Sequence, residues 1–343
     1  MNATSASRIS REQVLRYRAQ VSNLDRKLTP GSFAKAAWGG LQDSVPRAGV
    51  ISLHARVKGT EPDSWEDPSV VQIWFRGGAD YIVPKEDAGV FTLGSSPRDP
   101  DRMAELDRLA DDIHRVCEGR TLIVNEVSKL LGHEYQTRLR VSGLTGRVHI
   151  RWDASRIWLI PVARPDIDPE DARRELARRF MHWFGPTTKL ALARWTGVSA
   201  REATETWKAI EADLVEVDVA GLASRRFLLA ADVEALEGAE PVPRVRLLPY
   251  DDPFTKLDHE LLIPDGARRE RVLPRTGQGK GYIPGAILVD GEIVGGWQRQ
   301  QRKVTLHPFG NLPAGVREAI EEEALAFPID AKSPASVSWD RTG

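Results

Sequence analysis

A single cysteine, Cys117, stands in 343 residues, which excludes a disulfide framework and any zinc site built on two or more thiolates. A reducing compartment is the natural setting. No apolar run approaches the roughly 18 residues that a membrane helix needs, and Met1 to Ser10 is polar without an apolar signal core. The chain is therefore expected in the cytoplasm, away from the bilayer. Excess charge of either sign is also missing: 48 Lys and Arg face 49 Asp and Glu, for a formal net charge of -1, so no global pull toward a polyanion operates. Taken alone, that balance argues against a nucleic-acid binder. What is present is a globular composition, 41% hydrophobic and 28% charged, over a length that fits roughly two to three domains.

Three segments share one rhythm: helical stretches, then two alternating apolar runs across a turn. This is the winged-helix pattern, although no sequence repeats at a fixed period. In the first, Ser10-Arg11-Glu12-Gln13 reads as a capping box opening a helix through Val14, Val21 and Leu24. Pro30 is placed to open a second helix through Phe33 and Trp38, ended by Gly39-Gly40. Residues 50–57 fit helix and strand equally, whereas Val70 to Trp74 and Ala79 to Val83 read as a hairpin around Arg76-Gly77-Gly78. The second segment has a charged helix from Arg102 to Cys117, an amphipathic stretch from Leu122 to Leu131, and a hairpin of His149 to Trp152 with Arg156 to Ile160. In the third, a helix through Ala172, Leu176 and Phe180 stops at Gly185-Pro186. A short helix to Trp195, a Gly197 turn and a capping box at Ser199-Ala200-Arg201-Glu202 then follow at helix-turn-helix spacing. Leu214 to Val219 and Arg226 to Leu229 supply its wing. Beyond Pro241-Val242-Pro243 come short strands, with Asp290-Gly291 as a hairpin turn, and a closing helix from about Pro313 to Phe327.

The expected fold is α+β, three tandem winged-helix motifs with a β-rich C-terminal subdomain. The expected divisions are residues 1–98, 99–167, 168–240 and 241–343.

Net charge conceals segregation. Between Arg138 and Arg156 five Arg face one acid, between Arg173 and Lys208 eight basic residues face three acidic, and between Arg268 and Lys280 five face one. Such segments can give a neutral protein a positive face able to contact phosphates; ion-paired surface helices are the plainer alternative. Candidate DNA contacts are Arg147, Arg151, Trp152 and Arg156 on the second hairpin, Lys189 and Arg201 at the helix-turn-helix, and Arg299, Arg302 and Lys303 in the β subdomain. Trp152 and Trp158 are candidates to wedge into a base stack.

Several constellations fail. His133-Glu134-Tyr135-Gln136-Thr137 lacks the second His of a zincin helix, and Asp258-His259-Glu260 with His307 could meet at a metal only by accident of folding. Gly277-Gln278-Gly279-Lys280-Gly281 lacks the Ser or Thr of a phosphate loop and reads as a flexible loop. Ser52 and His54 would share one side of a strand without a third triad member. Cys117 reads as a small packed residue.

Taken in order, several segments form a pattern that resembles the AlkZ/YcaQ-like family of winged-helix DNA glycosylases. They are Ser10 to Leu28, Gly40-Leu41-Gln42, Ile73-Trp74-Phe75-Arg76-Gly77-Gly78-Ala79, Trp183-Phe184-Gly185-Pro186, Arg246-Leu247-Leu248-Pro249-Tyr250-Asp251 and Leu288-Val289-Asp290-Gly291. The resemblance implies hydrolysis of the N-glycosidic bond of N7- or N3-alkylated purines or of crosslinks, in double-stranded, preferably alkylated DNA, near the nucleoid. It implies a monofunctional enzyme acting as a monomer, with neither metal nor cofactor. The family's catalytic motif is Gln-x-Gln or Gln-x-Asp, and here it reads Gln42-Asp43-Ser44. Gln42 matches; Ser44 stands where a Gln or carboxylate is expected, and Asp43 lies one position away. On the resemblance, Gln42 orients a water, Ser44 can hold one, and Asp43 supplies charge if the backbone turns it inward. A polar turn capping helix ends before Pro46 is the alternative for these residues. The alternative function is a non-catalytic winged-helix DNA-binding protein or transcriptional regulator, and beyond that a protein-docking module.

Overall fold

The structure is a computed structural model that describes residues 8–132, 136–241, 244–273, 284–329 and 335–340. His133-Glu134-Tyr135, Val242-Pro243, Arg275 and the segment Gly277 to Gly281 lie outside the described residues.

The N-terminal part runs α1 (Arg11–Val21), α2 (Phe33–Ala36), β1 (Leu41–Gln42), α3 (Ala48–Arg56), β2 (Val70–Phe75), β3 (Ala79–Pro84) and α4 (Ala88–Gly94). Ser10 closes the capping box of α1, its hydroxyl taking the Gln13 N–H while the Gln13 side chain takes the Ser10 N–H. The helix expected to open at Pro30 is only the four residues of α2, starting after Ser32 and ending at Ala36, before Trp38. Residues 50–57, ambiguous by period, lie almost wholly in α3, every residue of which is buried, and a helix covered all round shows no amphipathic stripe. Ser52 and His54 therefore sit on a helix and do not share a face.

Next come α5 (Pro100–Cys117), β4 (Leu122–Ile123), α6 (Val124–Leu130), α7 (Gln136–Arg140), β5 (Val148–Trp152) and β6 (Ile157–Pro161). They are followed by α8 (Pro169–Phe184), α9 (Lys189–Thr196), α10 (Ala200–Ile210), β7 (Leu214–Val217), β8 (Arg226–Leu229) and α11 (Val233–Glu237). Asp99 and Asp168 cap α5 and α8 by accepting from the first-turn amides, each ahead of a Pro at the first helical position. Gly197 ends α9 at φ 78°, a left-handed conformation in which a Cβ would be strained, and Ser199 with Glu202 closes a second capping box on α10.

The chain closes with β9 (Val245–Leu248), α12 (His259–Leu262), α13 (Gly266–Val272), β10 (Gly285–Val289), β11 (Glu292–Gln300), β12 (Lys303–Pro308), α14 (Ala314–Leu325) and β13 (Ser336–Trp339). Asp290 and Gly291, at φ 53° and 86°, make the tight turn between β10 and β11.

Strand pairing departs from three isolated hairpins. β1-β3-β2-β5-β6-β4 form one six-stranded sheet, because the edge of the β2–β3 hairpin pairs with that of β5–β6 at Gln72 and Ile150. That pairing satisfies backbone groups that two separate edges would leave open. β7–β8 remain a two-stranded ribbon, and the C-terminal strands form a five-stranded sheet, β13-β12-β11-β10-β9. The largest apolar core joins α2, α3, β2 and β3 to α8 and α9, with Phe75 edge-on to Phe91 and Trp195 and Phe180 stacked on Phe184. Helix α3 carries Val50 and Leu53 into this core and Ile51 into the core under the C-terminal sheet. Cys117 is packed in the α5–β5–β6 core.

Candidate active site

β1 is two residues long and pairs with β3, Gln42 standing opposite Tyr81. The ladder continues when the Asp43 N–H donates to the Asp80 carbonyl at 2.7 Å. Side chains of an extended segment alternate, so Gln42 and Ser44 fall on one side and Leu41 and Asp43 on the other. The contacts agree: Gln42 Nε2 donates to Ser44 Oγ at 3.3 Å, while Leu41 is in the core.

Gln42 is buried, and its amide is fully engaged. Oε1 accepts from the Tyr81 hydroxyl at 3.0 Å and from Lys256 Nζ at 2.6 Å; Nε2 donates to Ser44 Oγ at 3.3 Å and to Asp251 Oδ2 at 3.2 Å. Two donors and two lone pairs are the whole capacity of a side-chain amide. An ammonium has no acceptor, so Lys256 fixes the carbonyl end of Gln42 toward itself and aims the NH₂ at Asp251 and Ser44. Lys256 also pairs with Asp251 Oδ1. Burial lowers the Lys256 ammonium from its ordinary range, with the Asp251 carboxylate opposing that shift, and burial raises the Tyr81 phenol. The Arg76 guanidinium, at the β2–β3 turn, acts on Tyr81, Tyr250 and Lys256 and donates to the Arg194 carbonyl of α9 at 2.9 Å.

Asp251 is set in place by its neighbour. Asp252 is fully buried and accepts from Arg56 at 2.7 and 2.8 Å, from Ser52 Oγ at 2.7 Å and from the Phe254 N–H at 3.0 Å. Arg56 and Ser52 are one turn apart on α3, so the helix that follows the Gln42 segment also clamps the loop that carries Asp251 and Lys256. Removing one partner of so buried a pair would leave an uncompensated charge.

Asp43 takes no part on the Gln42 side. Its carboxylate accepts from the Gly49 N–H at 2.8 Å and from Gln72 Nε2 at 3.0 Å, on the covered side of the strand. Burial pushes its carboxyl up to about 7, against the opposing pull of the Gly49 hydrogen bond and Arg47. Gln72 in turn accepts from the Trp152 N–H at 2.6 Å, so Asp43 braces the β5–β6 hairpin. Asp80 is also committed elsewhere, to Trp74 Nε1 at 2.8 Å and Arg140 at 3.7 Å.

The candidate DNA contacts divide into two groups. Arg156, Lys189, Arg201 and Lys303 are exposed, and Arg302 is half-buried. Arg147 is held by Asp111 at 2.6 Å and Asp107 at 3.8 Å on α5. Arg151 pairs with Glu66 at 2.6 Å and lies over Trp65 and Trp158 at 5.2 and 4.9 Å. Trp152 is half-buried beside them, its carbonyl taking Arg47, and Trp158 is covered by Arg151. Arg299 donates to the Pro46 and Gln301 carbonyls at 3.0 and 2.9 Å, tying the C-terminal sheet to the loop after Ser44. Four arginines of the 173–208 excess serve structure: Arg173 and Arg179 are buried and paired, and Arg174 and Arg178 pair with Asp171 and Asp213. Their charge is neutralised by acids outside the counted window or within one turn, which a segment sum does not register.

No local sequence pattern places Tyr81, Lys256 and Asp251 around Gln42. Asp251 lies 209 positions from Gln42, beyond any local pattern; the turn Pro249-Tyr250-Asp251-Asp252-Pro253 was the available signal. Among the described residues no three His, Cys, Asp or Glu gather as metal ligands: Asp258 lies between Arg18 and Arg226, and His307 meets Asp340.

Fold and site together define a mixed α/β protein whose first short strand, clamped by α3 and a C-terminal loop, presents a buried amide ringed by a hydroxyl, a phenol, an ammonium and a carboxylate. The family model of AlkZ-like DNA glycosylases matches residues 36–327, and the chain belongs to that family. An interstrand DNA cross-link repair glycosylase of Streptomyces sahachiroi is 26% identical over 165 residues, 46% of this chain and 42% of that protein. The match thus spans under half the relative's length. The solved structure of the Streptomyces sahachiroi DNA glycosylase AlkZ has the same fold, with a TM-score of 0.77 over 97% of this chain and 100% of that one, at 19% identity.

Proposed function

We propose that the protein is a monofunctional DNA glycosylase that hydrolyses the N-glycosidic bond of alkylated purines, including purines joined in crosslinks, in double-stranded DNA. The observation that carries this reading is Gln42, buried in a polar cluster within the family match. A purine alkylated at N7 or N3 already carries positive charge, so it departs without a general acid. The protein must then stabilise an oxocarbenium-like sugar and place one water, which few preorganised groups accomplish. The helix-and-hairpin units at residues 1–98, 99–167 and 168–240 read as winged helices, with Lys189 and Arg201 at the starts of α9 and α10 as phosphate contacts.

The test is base release from duplexes carrying an N7-alkylguanine, an N3-alkyladenine or an interstrand crosslink. The wild type is expected to release base, and Gln42→Ala to lose about 100-fold or more of the rate while keeping its unfolding temperature within a few degrees. No release from any of these substrates by folded protein contradicts the reading.

A further inference from the structure

We infer that Asp251, which stands outside the Gln42-Asp43-Ser44 motif, is the catalytic carboxylate of this chain, holding the attacking water together with the Ser44 hydroxyl. The inference rests on the glycosylase reading and specifies which atoms serve it. Gln42 has no hydrogen-bonding capacity left, since Tyr81 and Lys256 fill its carbonyl and Ser44 and Asp251 take both of its N–H groups. It is the hub that aligns the other groups, and the water belongs to its neighbours.

Ser44 Oγ accepts from Gln42 Nε2 at 3.3 Å and from the Asp80 N–H at 3.1 Å, which fills its lone pairs and leaves its proton to donate. Each Asp251 oxygen has one of these contacts, Oδ1 from Lys256 and Oδ2 from Gln42, and each retains a lone pair. Ser44 Oγ and Asp251 Oδ2 each lie within hydrogen-bond distance of one nitrogen, at 3.3 and 3.2 Å, so the hydroxyl and the carboxylate are held by the same amide. The attacking water would accept from Ser44 and donate to Asp251. The neighbouring carboxylates cannot replace it: Asp43 faces Gly49 and Gln72 behind the strand, and Asp80 faces Trp74 and Arg140. Lys256 positions Asp251, and the Asp252–Arg56 clamp fixes the loop that bears both.

The step balances. As the C1′–N bond breaks, its electron pair neutralises the cationic purine, and the carboxylate faces the positive sugar. The water oxygen bonds C1′ while its proton passes to Asp251 and on to solvent, leaving a neutral base and an abasic sugar. Lys256, engaged as an ammonium, is not the nucleophile.

Asp251→Asn, Ser44→Asp and the double variant test this, with Gln42→Ala as control and N7-methylguanine duplex as substrate. Binding to a duplex with a tetrahydrofuran abasic analogue is the second readout. Asp251→Asn is expected to lose about 100-fold or more of the release rate while binding the analogue within about threefold of wild type. Restoring a carboxylate at the motif's third position, Ser44→Asp in the Asp251→Asn background, is expected to recover at least tenfold. Wild-type release rates in Asp251→Asn, with Gln42→Ala inactive, overturn the inference and leave the glycosylase reading standing. Borohydride trapping of Lys256 on DNA also overturns it. Absence of release by the wild type removes the glycosylase reading and the inference with it.

Discussion

The two carboxyls nearest Gln42 have different surroundings, one with a cation in hydrogen-bond contact and the other held by neutral N–H groups. Asp251 lies against Lys256, whereas the Asp43 carboxyl accepts from the Gly49 and Gln72 N–H groups, and burial outweighs these and the Arg47 charge to raise it to about 7. A carboxyl raised from 3.8 in the chain's ordinary state to about 7 keeps its proton when the unfolded chain has released it. Its contribution to stability is therefore full below about 4, falls as pH rises toward 7, and is flat above. His54 and His149, lowered by burial to about 4, act in the opposite sense, their contribution being lost as pH falls from 6.5 through 4. Urea unfolding of wild type and Asp43→Asn at pH 5 and pH 8 separates them. The wild type is expected to lose stability relative to the variant between the two, and parallel behaviour would show that Asp43 is ionised throughout. At this scale the resemblance singled out Gln42, while its contact with Asp251 was hidden, because the two become neighbours only when β9 and its loop return to β1.

Helix α3 is the element on which the site depends. It follows the Gln42 segment, donates Ser52 and Arg56 to Asp252, and presents Val50, Ile51 and Leu53 to two cores. Arg56→Met should lower the unfolding free energy by about 3 kcal/mol or more, because the Asp252 charge is left buried without its partner. A urea titration that finds under about 1 kcal/mol would mean that the loop is held by other contacts. The capping box of α10 is a smaller feature: Ser199→Ala should cost about 1 kcal/mol in the same assay. Elements with local signals were legible, including both capping boxes, the β2–β3 and β5–β6 hairpins and the Asp290-Gly291 turn. α3 was not, since period distinguishes helix from strand only when one face meets water. The joining of two hairpins into one sheet was also hidden, because edge pairing at Gln72 and Ile150 depends on how the units pack.

Across the whole molecule, a net charge of -1 is compatible with local basic surfaces, but fewer arginines are free than segment sums indicated. Arg147, Arg173 and Arg179 are ion-paired with acids, while Lys189 and Arg201 stand exposed at the starts of α9 and α10. Replacing Lys189 or Arg201 with Ala should weaken duplex binding and lower the slope of log affinity against log salt by about 1 each, whereas Arg147→Ala should leave that slope unchanged. Equal slopes for all three would place the DNA elsewhere. The central claim is enzymatic, and time-resolved release of N7-methylguanine from duplex DNA tests it most directly. The account predicts release by the wild type and its loss in Gln42→Ala and Asp251→Asn alike; a folded wild type that releases no base, or variants that release it at the wild-type rate, would contradict it.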